Sequence, residues 1–104
     1  MLFEIDDLQM WLEDANVMPQ EYWNAVEAGT DKEYLAEWLG YESVIEMEKY
    51  EMQIEYKEES YNEDGYTNTT AYPTSNIINP PTKMDMQLYY KWINWATSVA
   101  ADEY

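Results

Sequence analysis

Nineteen carboxylates crowd the first 64 positions of this 104-residue chain, against three lysines, so 1–64 carries a formal −16 and 65–104 only −1. A segment charged like this must fold against its own repulsion. Small soluble domains are well served by a net charge of roughly 2–8 in magnitude, whereas this chain reaches −17. Duplex DNA carries one charge per ~1.7 Å of axis, so this total corresponds to roughly 29 Å of duplex. A compact domain of this length is roughly 33 Å across. The chain thus bears about the charge of a DNA segment as long as itself. That balance points to a cationic protein partner, and away from direct contact with nucleic acid or an anionic bilayer.

The remaining composition permits an ordinary core. Hydrophobic residues make up 46% and aromatics 16%, more than a disordered acidic segment would contain. Cysteine is absent, which excludes disulfides and thiolate metal sites. No long apolar run occurs, and the start MLFEIDD has neither a basic region nor an apolar signal segment. A cytoplasmic protein is the expectation.

Apolar spacing and punctuation predict short helices through the first half. Leu8, Trp11, Leu12 and Ala15 recur at i, i+3, i+4, i+7, the stripe of an amphipathic helix over about 5–16. Pro19 opens a second helix with Tyr22, Trp23 and Val26 inward, and Gly29 ends it. Thr30-Asp31-Lys32-Glu33 reads as a capping box for a third, with Tyr34, Leu35, Trp38 and Leu39 inward and Gly40 as its stop. Ser43-Val44-Ile45-Glu46 is a second capping box. The segment after it supports two periods. Val44, Met47, Tyr50 and Ile54 keep helical spacing, while Met52, Ile54 and Tyr56 alternate with polar residues as a strand would. The reading favours helix at least through Tyr50.

Residues 60–82 turn to Asn, Thr, Tyr, Gly and Pro. Asp64-Gly65 signals a turn, and Tyr66–Tyr72 suits pairing with residues near 52–60, since a long structureless loop is unusual in a compact domain. Thr82 is expected to cap a last helix over about 83–101, striped by Leu88, Trp92, Trp95, Ala96 and Val99. The fold class expected is mainly α, a small single domain of about four or five helices, with an α+β variant carrying one β-hairpin in the 50–72 region. Its parts are an acidic helical stretch 1–64, a polar loop or hairpin 65–82 and a C-terminal helix 83–104.

Catalysis finds little support. Histidine, cysteine and arginine are all missing, which removes the commonest general base, the thiol nucleophile and the bidentate phosphate clamp. An EF-hand alignment on Gly65 puts Ser60 and Ala71 where Asp and a bidentate Glu are needed. No enzyme, cofactor or metal is expected.

The acidic run is the sharper signal. Read as a helix, Glu48, Glu51, Glu55 and Glu58 lie at i, i+3, i+7, i+10, with carboxylates about 4.5–6 Å apart along the axis. Residues 42–59 hold seven glutamates and two lysines, a charge per ~5 Å of helix against ~3.4 Å for one DNA strand. Imitating a duplex would require a second acidic edge, from Glu13, Asp14, Glu21 and Glu27 or from Glu59, Glu63 and Asp64. The partner-binding residues expected are Glu42, Glu46, Glu48, Glu51, Glu55, Glu58, Glu59, Glu63 and Asp64, with Tyr56, Tyr61 and Tyr66. Tyr41 and Tyr72 also stand where a ring can pack on a partner while its hydroxyl bonds. Trp11, Trp23, Trp38, Trp92 and Trp95 read mostly as core.

Two resemblances follow from these residues. Leu35, Ala36, Leu39 and Gly40 resemble the first helix and turn of helix-turn-helix proteins, over about 20 residues; Glu46 and Lys49 then stand where that family buries apolar side chains. Glu42, Glu46, Glu48 and Glu51 would also repel phosphates. In size, charge and missing catalytic residue types, the whole chain resembles phage- or plasmid-encoded DNA-mimic inhibitors of the anti-CRISPR and anti-restriction kind. That resemblance implies a protein that evades host defence by filling the nucleic-acid groove of a Cas effector, restriction enzyme, nucleoid protein or polymerase. The competing expectation is a non-mimetic phage interaction protein (assembly factor, virion component or transcription-machinery inhibitor) that binds through 60–82. Self-association is compatible with either.

Overall fold

The computed structural model describes the backbone of residues 1–63 and 66–103 and the side chains of 1–55 and 74–102. A short strand β1 (Leu2–Glu4) runs directly into helix α1 (Ile5–Asp14). Helices α2 (Gln20–Ala28), α3 (Asp31–Leu39) and α4 (Val44–Met47) follow. Strands β2 (Glu51–Glu63) and β3 (Tyr66–Ile78) form a hairpin, and helix α5 (Met86–Glu103) ends the chain. The strands make one antiparallel sheet in the order β1-β2-β3. The expectation of a mainly α chain with one hairpin is met, and the hairpin is longer than the 50–72 region.

Glu4 serves two elements at once. It is the last residue of β1, and it caps α1 by exchanging hydrogen bonds with Asp7, whose Oδ2 accepts from the Glu4 N–H at 2.8 Å. This reciprocal box satisfies two otherwise orphaned donors at the helix start. Leu8 and Leu12 point inward and are sealed from solvent. The helix stops at Asp14, short of the expected 16, and Asn16 adopts the left-handed conformation.

Gly29 and Gly40 end α2 and α3 with φ of +78° and +92°, as the sequence led one to expect of glycine after a helix. Thr30 precedes α3, but its side chain makes no cap bond, so the expected box there does not form. Ser43 does cap α4: its Oγ accepts from the Glu46 N–H at 3.1 Å. That helix ends at Met47 rather than running through Tyr50. Strand periodicity wins beyond it because Met52 and Ile54 bury completely while Glu51, Gln53 and Glu55 face water, the alternation of a half-buried strand.

Thr82 also has a different task from the one expected. The N–H groups of Thr82 and Lys83 both donate to the Leu39 carbonyl, at 3.1 and 3.0 Å, and the Thr82 hydroxyl donates to the Gly40 carbonyl. The chain is thereby docked on the open end of α3, whose last carbonyls otherwise lack partners. A Cβ on Gly40 would lie 2.6 Å from Thr82 Oγ1 and 2.8 Å from Lys83 Cγ, so glycine is required there for space as well as for φ. Helix α5 starts only at Met86, with Asp85 Oδ2 accepting from the Leu88 N–H.

The core gathers Phe3, Ile5, Leu8, Leu12, Tyr22, Leu35, Leu39, Met47, Tyr50, Met52, Ile54 and Trp92. Trp92 is its centre, with Phe3 edge-on at 5.6 Å, Trp11 tilted at 5.7 Å and Trp95 stacked at 5.6 Å between ring centroids. Of the five tryptophans only Trp92 is fully buried; Trp11, Trp23 and Trp38 are half-buried and Trp95 is exposed. Large rings rarely seal completely in so small a body. The molecule measures 64 × 24 × 21 Å. Strands of 13 residues reach roughly 44 Å, so the hairpin sets the long axis.

Candidate protein-interaction surface

Among the described residues no aspartate or glutamate is buried; Gln9 is the one buried polar side chain. Most of the described carboxylates are therefore presented outward, and among the described residues only Asp6 and Glu46 meet a lysine, through Lys32 and Lys49. Three acidic surfaces result.

The first lies on the solvent face of the sheet. Glu4 and Glu51 are direct partners in the β1–β2 register, which sets their Cβ atoms about 4.5–5.5 Å apart, an unfavourable like-charge pair. Glu55 lies four residues further along β2, and its carboxylate accepts from Gln53 Nε2 at 2.9 Å. The second surface follows α3 into α4. Glu33, Glu37 and Glu42 are exposed, and two depressions lie beside them, one lined by Tyr34, Glu37 and Trp38 and the other by Glu33, Glu37, Tyr41 and Glu42. The third comprises Asp14, Glu21 and Glu27, all exposed on α1 and α2. Glu13 is turned inward by the Tyr22 hydroxyl, which donates to it at 3.0 Å.

The expected site is redistributed by this arrangement. Glu42, Glu48, Glu51 and Glu55 are exposed, and Glu46 is half-exposed and held by Lys49 at 2.9 Å. The helical stripe of Glu48, Glu51, Glu55 and Glu58 does not exist, because 51–63 is a strand. Positions 51, 55, 59 and 63 are spaced by roughly 13 Å in a strand, wider than the 4.5–6 Å of a helix. The side chains of Glu58, Glu59, Glu63, Tyr56, Tyr61, Tyr66 and Tyr72 lie outside the described residues, as does Asp64. Tyr41 is structural: its hydroxyl donates to the Asn79 carbonyl at 2.7 Å. Glu4, Glu33 and Glu37 were missed by sequence reasoning. The i, i+4 spacing of Glu33 and Glu37 was legible in the chain; the placing of Glu4 opposite Glu51 depended on a strand with no sequence signal of its own.

The would-be helix-turn-helix also resolves differently. Gly40 ends α3 as that likeness implied, but α4 spans only Val44–Met47, too short to lie along a groove as a reading helix.

Four phenols are held neutral past their ordinary range. Burial, together with the Glu13 carboxylate, pushes Tyr22 up to about 12. Burial likewise raises Tyr41, Tyr50 and Tyr89. Such groups serve as structural hydrogen-bond donors, since a general base needs a pKa near the working pH. Among the described residues no group of acidic side chains is arranged to hold a metal ion, and no helix is long and apolar enough to cross a membrane. Comparison with protein-family models, with curated proteins and with solved structures found no match to this chain.

Proposed function

We propose that this chain is a non-catalytic acidic inhibitor that occupies the nucleic-acid-binding groove of a basic protein, as a DNA mimic of the anti-CRISPR or anti-restriction kind does. One observation carries the reading. Among the described residues no carboxylate is buried, most are exposed, and only two are neutralised by a lysine. A surface with so much unpaired charge has its field directed at solvent, where it steers a cationic groove toward itself at low salt.

The mimicry is distributed rather than linear. Acids four residues apart on one face of a strand are too widely spaced to copy one phosphate backbone, so the sheet face (Glu4, Glu51, Glu55) and the α3–α4 rim (Glu33, Glu37, Glu42) share the charge. The aromatic side chains Tyr34 and Trp38 beside the rim add apolar contact, which charge alone lacks as a source of specificity.

An affinity pull-down from bacterial lysate tests this, run with and without nuclease and at two salt concentrations. A nucleic-acid-binding protein should be captured, more weakly at high salt, and saturating that protein with its own nucleic acid should abolish capture. Glu48→Lys, Glu51→Lys and Glu55→Lys together should weaken capture without unfolding, since all three side chains are exposed. Capture indifferent to salt and to nucleic acid would overturn mimicry. It would favour the non-mimetic interaction protein instead, which the projecting hairpin (β2 and β3) suits.

A further inference from the structure

The two edges of the hairpin differ in ways that decide which one can take another strand. Ile54 N–H donates to the Met1 carbonyl at 2.9 Å, and the Met1 ammonium donates to the Ile54 carbonyl at 2.6 Å. Ile54 therefore directs its backbone groups toward β1 and away from β3. Backbone groups alternate sides along an antiparallel strand, and the β2–β3 register runs without a bulge from Glu51↔Ile78 to Glu63↔Tyr66. Tyr56, Glu58, Ser60 and Asn62 thus turn their N–H and C=O groups to the same side as Ile54. β1 covers that side only at its start, with Leu2 opposite Gln53.

The other edge is blunted. Pro73 is the partner of Tyr56, so it sits in a pair that exchanges no ladder bonds, and its missing N–H falls on the outer edge of β3. Proline at such a position protects an edge strand from further pairing. Charge divides the edges in the same sense. β2 contains five glutamates and one lysine, and β3 contains no charged residue.

We propose that the outer edge of β2, from Glu55 to Glu63, accepts an extended Lys- or Arg-rich segment of the partner as an added strand in line with β1. This rests on the reading that the partner is a basic protein, and it names the mode of contact. A two-stranded ribbon is marginally stable in water by itself. A third strand satisfies the outward backbone groups of 56, 58, 60 and 62, giving main-chain affinity, while basic side chains meet the glutamates.

The probe is a synthetic peptide of alternating lysine and valine, long enough to span 55–63, titrated into the full chain at low and high salt. Its control carries the same charge but is N-methylated at two consecutive central residues, which blocks both of its edges. The plain peptide should bind about ten-fold more tightly than the control, a difference of about 1.4 kcal/mol, and should slow amide exchange at Tyr56, Glu58, Ser60 and Asn62. Ser60→Pro removes one outward N–H and leaves the pairing with β3 intact, so it should erase that ten-fold margin without altering exchange at Glu55, Lys57 and Glu59. Equal binding of the two peptides, with salt-sensitive affinity and no change at the four amides, would overturn strand addition while leaving the acidic-surface reading in place. Slowed exchange at Thr67, Thr69 and Ala71 instead would put the added strand on β3 and overturn the choice of edge. No binding of either peptide at low salt would overturn both.

Discussion

Tyr22 and Tyr50 are both sealed from solvent, yet their hydroxyls are satisfied by opposite chemistry. Tyr22 donates to the Glu13 carboxylate at 3.0 Å and accepts from Gln9 Nε2 at 2.8 Å; the same amide donates to Asp31 at 2.7 Å. The Glu13 carboxylate of α1 thus reaches inward to the phenol on α2, and the Asp31 carboxylate of α3 to the amide beside it, while both remain partly exposed. Tyr50 accepts from Trp92 Nε1 at 3.0 Å and lies 3.2 Å from the Tyr89 hydroxyl. It has no charged partner among the described residues. The contrast shows how so acidic a chain keeps a dry centre. Its carboxylates serve as acceptors at the rim of the helical layer, and the Tyr50–Tyr89–Trp92 cluster between the sheet and α5 closes with neutral groups.

Trp92→Ala should separate the two sides most strongly. It removes the ring that Phe3, Trp11 and Trp95 pack against and deprives Tyr50 of its donor. A loss of about 3–5 kcal/mol is expected for truncating a large aromatic core residue, read from denaturant midpoints. A loss below about 1 kcal/mol would mean that Trp92 is not the centre of the core.

The amphipathic half of this design was legible in the chain. Leu8, Leu12, Leu35 and Leu39 lie on stripes that any helix of period 3.6 must bury, and Pro19, Gly29 and Gly40 punctuate them where backbone conformation demands. The strands were harder. Residues 44–54 satisfy both periods, and tertiary burial of Met52 and Ile54 decided between them. β1 is three residues long and exists because β2 offers it an edge, which no local pattern encodes. Thr82 likewise looked like a cap, but the end of α3 claimed its backbone and hydroxyl. The acidic surfaces were legible as charge and not as geometry, because converting 51–63 from helix to strand regroups every glutamate in it.

The next effect in size is alkaline. A phenol whose folded pKa lies above its unfolded value contributes stability at every pH below about 10 and loses it as pH climbs through the folded value. Tyr22 rises to about 12 from an ordinary 10.0, and Tyr41, Tyr50 and Tyr89 rise as well. Stability should therefore fall between pH ~10 and ~12, by on the order of 2 kcal/mol from Tyr22 alone. Phenolate absorbance followed with helical circular dichroism checks this. These four phenols should ionise together with unfolding; full ionisation of a still-folded chain near pH 10 would contradict their burial.

Tyr50→Phe and Tyr22→Phe then sharpen the comparison at its smallest scale. Removing the Tyr50 hydroxyl strands the indole N–H of Trp92, which is sealed from water, so a loss of about 1–3 kcal/mol is expected for an unsatisfied buried donor. Removing the Tyr22 hydroxyl strands less. Gln9 keeps Asp31 as its acceptor, and Glu13 is only partly buried, so water can replace the lost donor. About 0.5–1.5 kcal/mol is the expected cost, the usual net worth of one hydrogen bond. The ordering matters more than either value. If Tyr22→Phe proved the more damaging in urea denaturation, the carboxylate-anchored cluster would be the drier of the two, and the division between a wet acidic rim and a neutral interior would be reversed.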